Sequence, residues 1–155
     1  MDIYYKPISE SGKQMINYVC KYAPVELFKG FGQECAVLEE MPENFDKSDK
    51  IAHANLCGFG KSVIQAVLEG KVEELVLVNC CDSMRRVYDI IENTKKCKFL
   101  YMLDLPHEDN ECENIKFAQS ILRLKKAYER YSHRTFDREL FIKSFAKPES
   151  ERKPY

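Results

Sequence analysis

Residues 75–91 read LVLVNCCDSMRRVYDII, and this stretch decides the fold. Its first four residues are all aliphatic, and a short apolar run without alternation is typical of a strand covered on both faces of a parallel sheet. Periodicity alone leaves a buried helical turn open, but the shortness of the run favours the strand. Apolar residues then recur at helical spacing from Met84 to Ile91, and we expect Asp82 or Ser83 to cap that helix. The stretch therefore predicts a strand followed directly by a helix.

The same alternation of strand and helix extends along the chain on both sides of this stretch. Strands are expected at 15–20, 35–38 and 98–103, and helices near Val25, from Phe59 to Leu68, from Phe117 to Tyr131, and after Thr135 or Asp137. Strands that alternate with helices imply βαβ units with right-handed crossovers. The predicted fold is therefore α/β: a doubly wound, mostly parallel sheet flanked by helices, of the Rossmann or flavodoxin type, with a C-terminal helical extension.

Length and composition are those of one domain, since 155 residues with 45% hydrophobic content can bury a core without disulfides. We expect one domain over 1–147, of which about 109–147 form the helical extension. The polar segment 41–50 is expected to be a loop. Residues 148–155 have the composition of a disordered tail.

Charge and hydropathy exclude several classes of partner. The formal net charge is −1, from 24 basic and 25 acidic side chains, so no broad field attracts nucleic acid or an anionic membrane surface. The first residues lack a secretory signal pattern, and no stretch approaches the ~20 apolar residues that span a bilayer. These observations predict a cytoplasmic protein.

Seven cysteines are many for a reducing compartment, and their odd number argues against a complete disulfide framework. Cys20, Cys80 and Cys81 follow predicted strands, and ligands of open α/β sheets bind beyond the carboxyl ends of strands. Cys57 and Cys81 also lead into helices, where the helix dipole favours a thiolate. The sequence contains no CxxC, however, so a vicinal disulfide or two core thiols remain open for Cys80 and Cys81. The cysteines at 20, 35, 97 and 112 are better interpreted as core or surface thiols.

Two segments resemble the 2-hydroxyacyl-CoA dehydratase family, which includes the D-component of 2-hydroxyglutaryl-CoA dehydratase and the related benzoyl-CoA reductase subunits. They are residues 55–62, NLCGFGKS, and residues 76–89, VLVNCCDSMRRVYD. The family has a Cys that leads into a helix, then a strand that ends in Cys-Asp-Gly/Ser before basic residues and a Tyr, and a strand that closes in Leu-Asp-Leu-Pro. The last motif is found here at 103–106, and residues 22–27, YAPVEL, resemble the Pro-x-Glu-Leu loop of the family.

The resemblance implies the N-terminal, iron–sulfur-binding domain of a dehydratase subunit. In the family, one Cys from each of the two segments binds a 4Fe-4S cluster, and a third Cys comes from a distant C-terminal domain. Carried onto this sequence, the ligands are Cys57 and Cys81. Cys80 is the alternative to Cys81, which is preferred because it directly precedes the Asp-Ser-x-Arg-Arg string. The resemblance also places substrate near the loop that contains Tyr22, Pro24 and Glu26, although Pro24 and Glu26 are also ordinary residues of a first helical turn.

The reaction implied by the resemblance is a lyase reaction, the radical elimination of water from a hydroxyacyl-CoA. It requires an ATP-dependent iron–sulfur activator that delivers one electron, and a second dehydratase subunit or a C-terminal half. Arg85 and Arg86 could offset the negative charge of a cluster or contact a partner, although such residues usually form the solvated face of a helix. The alternative function is that of a non-catalytic fragment or interaction domain that keeps the fold without a cluster and could form a homodimer.

Overall fold

The computed structural model describes residues 15–39 and 41–146. The tail predicted at 148–155 lies outside the described residues. Strands and helices alternate as the sequence predicts, and a turn of 3₁₀ helix, Ser48–Lys50, lies within the segment 41–50 that we expected to be a loop. The elements are β1 (Ile16–Tyr18), α1 (Val25–Lys29), β2 (Cys35–Val37), α2 (Gly58–Leu68), β3 (Glu74–Val78), α3 (Asp82–Thr94), β4 (Phe99–Leu103), α4 (Glu111–Ser132) and α5 (Arg138–Phe145).

The four strands form one parallel sheet in the order β2-β1-β3-β4, which confirms the predicted doubly wound α/β fold. Tyr18 of β1 lies opposite Val37 of β2 and Val76 of β3, and Val78 of β3 lies opposite Leu103 of β4. The chain builds the sheet outward from β1 to β2, then returns to the other side of β1 for β3 and β4. The strand order therefore reverses between β1 and β3, and such a switch point is where open α/β sheets bind ligands.

Helices cover both faces of the sheet, and β3 is buried along its whole length. Its side chains alternate between two hydrophobic clusters, with Val76 and Val78 on one face and Leu75 and Leu77 on the other. The first face packs against residues of α1 and α4, and it is rich in aromatic rings. The second face packs against aliphatic residues of α2 and α3. This double coverage is the reason that the strand has no polar alternation.

The extension after β4 consists of α4 and α5. Leu124 and Tyr128 of α4 are buried in the aromatic cluster, where Tyr128 makes edge contacts with Phe28 and Phe99 at ring-centroid distances of 5.2 Å. Helix α5 lies against α1. The backbone of Gly30, at the end of α1, is so close to the Phe136 ring that a Cβ atom on residue 30 would collide with it. The extension is therefore packed into the domain. No helix among the described residues is long and apolar enough to cross a membrane.

Side-chain and backbone caps set the ends of the helices. The Asp137 carboxylate accepts hydrogen bonds from the backbone N–H groups of Glu139 and Leu140, as expected for a helix that begins after Asp137. The side chain of Asn110 caps α4 by accepting from the N–H of Glu113 at 2.9 Å. Gly70, with φ of +75°, follows the end of α2, as the sequence predicts.

Details of three helices differ from the sequence predictions. The N-cap of α3 is Cys81, so the prediction that Asp82 or Ser83 caps this helix is wrong by one or two residues. Phe59 follows the helical spacing of α2 but is 38% exposed and lies outside both hydrophobic clusters. In α5, Leu140 and Phe145 are also exposed. The spacing of apolar residues predicted these helices correctly. It did not show which helical turns are buried against the rest of the protein.

Candidate metal and substrate site at the carboxyl edge of the sheet

Cys57 is the N-cap of α2 and its side chain is exposed. Its backbone is extended, with φ of −61° and ψ of 150°, and its Sγ accepts a hydrogen bond from the backbone N–H of Gly60 at 3.3 Å. The sulfur therefore occupies the position that a Ser or Asp oxygen usually takes at a helix start. In that position it lies at the positive end of the helix dipole, which favours bound anions.

Gly60 allows the first turn of α2 to pack closely against α3. A Cβ atom on residue 60 would lie 3.0 Å from Cγ2 of Val87 in α3 and 3.4 Å from the Sγ of Cys57. A side chain larger than hydrogen would therefore push α3 away or displace the thiol. Gly60 thus keeps the start of α2 close to α3, and an exposed cysteine lies at the start of each of these helices.

Cys81 is the N-cap of α3, directly beyond the carboxyl end of β3, and it is also exposed. Its extended backbone, with φ of −160° and ψ of 164°, turns the chain out of the sheet, and its carbonyl accepts from the N–H of Met84. No side chain caps this helix start. Asp82 lies in the first turn, where an acidic side chain interacts favourably with the helix dipole.

Cys80 lies between the end of β3 and Cys81, and its thiol interacts with those of Cys20 and Cys81. Partial burial and the neighbouring thiols raise the pKa of Cys80 to about 11. This shift makes the Cys80 thiol harder to deprotonate than an ordinary cysteine thiol.

A chain of polar side chains crosses the same edge from α3 to β4. The Arg85 guanidinium donates to Oδ1 of Asn79 at 2.6 Å, and Nδ2 of Asn79 donates to Oδ1 of Asp104 at 3.1 Å. Asp104 belongs to the Leu-Asp-Leu-Pro segment that follows β4. Arg85 is thus oriented by its own subunit beside the start of α3. The sequence did not lead us to expect that Asn79 connects Arg85 to Asp104. Its position directly after a predicted strand, where ligand-binding residues of such sheets are found, could have indicated this role.

Arg86 points to a different environment from Arg85. Together with His53, Asn55, Asp82, Ser83 and Asp89 it lines an open cavity of about 530 Å³ between the segment before α2 and the first half of α3. The cavity lies next to both helix starts, because Asn55 and Asp82 are close in sequence to Cys57 and Cys81. His53 is far from Arg86 in the sequence, and only the fold brings the two residues to this cavity.

The YAPVEL loop connects β1 to α1 at the same edge of the sheet. Tyr22 is 55% exposed, and the Lys21 ammonium lies 5.2 Å from the centroid of its ring. Pro24 is the N-cap of α1 and Glu26 is in the first turn of that helix. These positions agree with ordinary helix-start roles for Pro24 and Glu26, while the exposed ring of Tyr22 is available to a ligand.

The other cysteines divide into partly buried and exposed thiols. Burial raises the pKa of Cys35 to about 12 and that of Cys97 to about 11, as expected for thiols packed at the edges of the core. Cys112 is exposed on α4. Within residues 15–39 and 41–146, no group of three or more Cys, His, Asp or Glu side chains is arranged to hold a metal ion.

The comparison with known families matches the larger part of this chain. A sequence model described as 2-hydroxyglutaryl-CoA dehydratase, D-component, matches residues 20–154. The chain belongs to this family. The dehydratase match begins at Cys20 and covers both cysteine segments, the YAPVEL loop and the helical extension. A search among curated proteins found no similar sequence.

Proposed function

We propose that this chain is an iron–sulfur-binding component of a 2-hydroxyacyl-CoA dehydratase, which removes water from a hydroxyacyl-CoA by a radical route. The match to the dehydratase D-component carries the proposal. The position of Cys57 and Cys81 supports it, since both thiols are exposed at helix starts beside the carboxyl edge of a parallel sheet. This is the edge at which proteins of such architecture bind ligands.

The proposed metal ligands are Cys57 and Cys81, with Cys80 as the alternative to Cys81. Cysteine sulfurs are the usual protein ligands of 4Fe-4S clusters, and both of these sulfurs are exposed. Cys81 is preferred over Cys80 because it directly precedes the Asp-Ser-x-Arg-Arg string and is the N-cap of α3. Two thiolates do not complete a cluster, so the proposal assigns the remaining ligation to a second dehydratase subunit or a C-terminal half.

When bound, a 4Fe-4S cluster would supply one-electron transfer and Lewis acidity. The residues of this chain have separate tasks in the proposal. Arg85, held by Asn79, offsets negative charge near Cys81. Arg86 is assigned as the cationic contact for an acyl-CoA or a partner, in a cavity that Asp82 and Asp89 also line. The exposed ring of Tyr22 contacts substrate at the neighbouring loop. An ATP-dependent iron–sulfur activator would deliver the electron.

The first test is anaerobic reconstitution with iron, sulfide and a small thiol that can complete the ligand set. Iron and sulfide content and the visible absorption spectrum are compared for the wild type, Cys57→Ser, Cys80→Ser, Cys81→Ser and Cys112→Ser. We expect a cluster in the wild type, loss of that cluster in Cys57→Ser and Cys81→Ser, and retention in Cys80→Ser. Cys112→Ser is the matched control, because it removes an exposed thiol on α4, away from the carboxyl edge of the sheet.

Other outcomes would change the assignment. Loss of the cluster in Cys80→Ser but not in Cys81→Ser would transfer the ligand role to Cys80. A cluster that survives Cys57→Ser would contradict the proposed ligand set. A well-folded wild type that binds no iron would favour the second candidate function.

The second candidate function is that of a non-catalytic interaction domain. It is favoured by Ile115 and Leu122, which are 54% and 55% exposed on α4. These two residues are seven positions apart and lie on one face of the helix, the side opposite the core residue Leu124. Under this function we expect a homodimer or a complex with a partner, and sedimentation that shows a monomer at high concentration would contradict the dimer.

A further inference from the structure

Three thiols meet at the switch point of the sheet, between the ends of β1 and β3. The two strands are neighbours, with Tyr18 opposite Val76 and the Val19 N–H donating to the Val76 carbonyl at 3.1 Å. Cys20 is the next residue in the chain after Val19, just beyond this pairing of the two strands. On the neighbouring strand, the Cys80 N–H donates to the Val78 carbonyl at 2.8 Å and folds the chain back at the end of β3.

This fold-back places the Cys80 thiol beside the thiols of Cys20 and Cys81, with which it interacts. Cys80 is exposed and Cys20 is half-buried, so a small molecule in solution can reach the sulfur of Cys80. A pair of thiols in contact across two strands is the arrangement required for a disulfide that forms without large movement of the backbone.

The backbone of Cys20 gives a second observation. Its φ is +83°, a left-handed value that costs free energy for any residue with a Cβ atom and that Gly adopts readily. The turn that follows is held by a hydrogen bond from the Ala23 N–H to the Cys20 carbonyl at 3.1 Å. A strained cysteine at a position suited to glycine places a sulfur next to Cys80, and such strain is concentrated at functional sites.

We propose that Cys20 and Cys80 form a reversible disulfide, in exchange with a low-molecular-weight disulfide such as oxidised glutathione. One S–S bond forms between the two Sγ atoms, and the S–S bond of the small disulfide breaks. The two protons and two electrons lost by the protein thiols convert the small disulfide into two thiols. The bridge would tie the β1–α1 turn, which carries Tyr22 and Pro24, to the β3–α3 turn.

The choice of partner for Cys80 follows from geometry. The Cα atoms of a disulfide are usually about 4.4–6.8 Å apart, whereas those of adjacent residues are only about 3.8 Å apart across a trans peptide. The described residues contain no cis peptide bond. A vicinal Cys80–Cys81 bridge would therefore distort the start of α3. Cys20 and Cys80 follow two neighbouring strands, which in parallel sheets lie about 4.8 Å apart, so the short separation of adjacent residues does not apply to them. This inference does not depend on the proposed function, because it leaves the thiols of Cys57 and Cys81 free.

The test is oxidation of the metal-free full chain with oxidised glutathione, followed by thiol titration and non-reducing tryptic mapping by mass spectrometry. Cys20 lies in the peptide 14–21, while Cys80 and Cys81 share the peptide 72–85. We expect a cross-link between these two peptides and a loss of two of the seven free thiols, both reversed by a reducing agent. The cross-link should persist in Cys81→Ser and in the control Cys112→Ser, and should be lost in Cys20→Ser and Cys80→Ser.

Cys20→Gly provides a second variant that removes the sulfur and suits the backbone at this position, so loss of the cross-link cannot be ascribed to misfolding. A cross-link that is lost in Cys81→Ser but kept in Cys80→Ser would overturn the proposed pairing. So would an internal bridge within peptide 72–85, or seven thiols that remain free or carry only mixed disulfides. Iron binding in the anaerobic reconstitution is a separate readout, so a failure of this inference is distinguishable from a failure of the proposed cluster site.

Discussion

The two ends of β3 have opposite character. At the amino end, Glu74 is 2% exposed, and its Oε1 accepts a hydrogen bond from the Tyr131 hydroxyl at 2.8 Å beside the aromatic rings of α4 and β4. At the carboxyl end, Cys80 and Cys81 are exposed. One strand of five residues therefore connects a packed region that stabilises the domain to a surface of exposed thiols. The difference implies that stability and chemistry can be changed separately, and the following predictions test this separation.

The largest expected effect is on packing near the amino end. Phe28 is 1% exposed and packs edge-on against Tyr128 at a ring-centroid distance of 5.2 Å. Phe28→Ala should lower the free energy of unfolding by about 3–5 kcal/mol, since it removes buried surface and leaves a cavity. The matched control at the carboxyl end is Phe59→Ala, which should change stability by only about 0.5 kcal/mol. Urea unfolding measures both, and equal losses would contradict the comparison.

A smaller effect is expected from the buried carboxyl group of Glu74. Burial of the Glu74 carboxyl group raises its pKa, and this is the largest effect. The hydrogen bond from Tyr131 and the positive charges of Arg134 and Lys98 lower the pKa, while the negative charge of Glu73 raises it, and the net shift is upward. The Glu74 carboxyl group therefore holds its proton more tightly in the native state than in the unfolded state. The stability that it contributes is fully present below the pKa of the unfolded state and is lost as pH rises through the raised native pKa.

Glu74→Gln removes this titration and keeps an oxygen that can accept from Tyr131. We expect the variant to gain stability relative to the wild type as pH rises from about 4 to about 8, as measured by urea unfolding at each pH. A wild type and a Glu74→Gln variant with parallel pH profiles would contradict the assigned cause.

The strained backbone of Cys20 gives the third prediction. At φ of +83°, a glycine avoids the steric cost of a Cβ atom. Cys20→Gly should therefore be more stable than Cys20→Ala by about 1 kcal/mol, although glycine loses more backbone entropy on folding. Both variants lack the thiol, so their difference isolates the backbone. If Cys20→Ala is the more stable variant in thermal and urea unfolding, the left-handed conformation is not a cost at this position.

The smallest expected effect concerns the helix start at Cys57. Because its Sγ accepts from the Gly60 N–H, Cys57→Ala should lower stability by about 0.5 kcal/mol, whereas Cys57→Ser should keep the cap. This pair also controls the iron reconstitution, because Cys57→Ser then removes the ligand without loss of the helix start. A serine variant that is less stable than the alanine variant would contradict the capping role.

Local patterns predicted most of the fold. The uninterrupted aliphatic residues of β3 predicted its burial on both faces, and Asp137 correctly predicted the start of α5. The start of α3 was predicted one or two residues too late, at Asp82 or Ser83 instead of Cys81. Several residues in a row can serve as an N-cap, and only the backbone geometry decides which of them does. The roles of Cys57, Cys81, Arg85 and Arg86 in binding remain predictions, which the reconstitution experiment tests.

By itself, the sequence determined which segments are strands and helices, that the sheet is parallel, and that Cys57 and Cys81 lead into helices. Each of these depends on residues close together in the chain, through burial patterns and caps. Only the tertiary structure decided that Cys20 meets Cys80, that Asn79 connects Arg85 to Asp104, and that His53 and Arg86 share a cavity. These contacts depend on the order of the strands and on how closely α2 packs against α3. Strand order and helix packing arise from interactions between distant segments, which no local pattern of residues encodes.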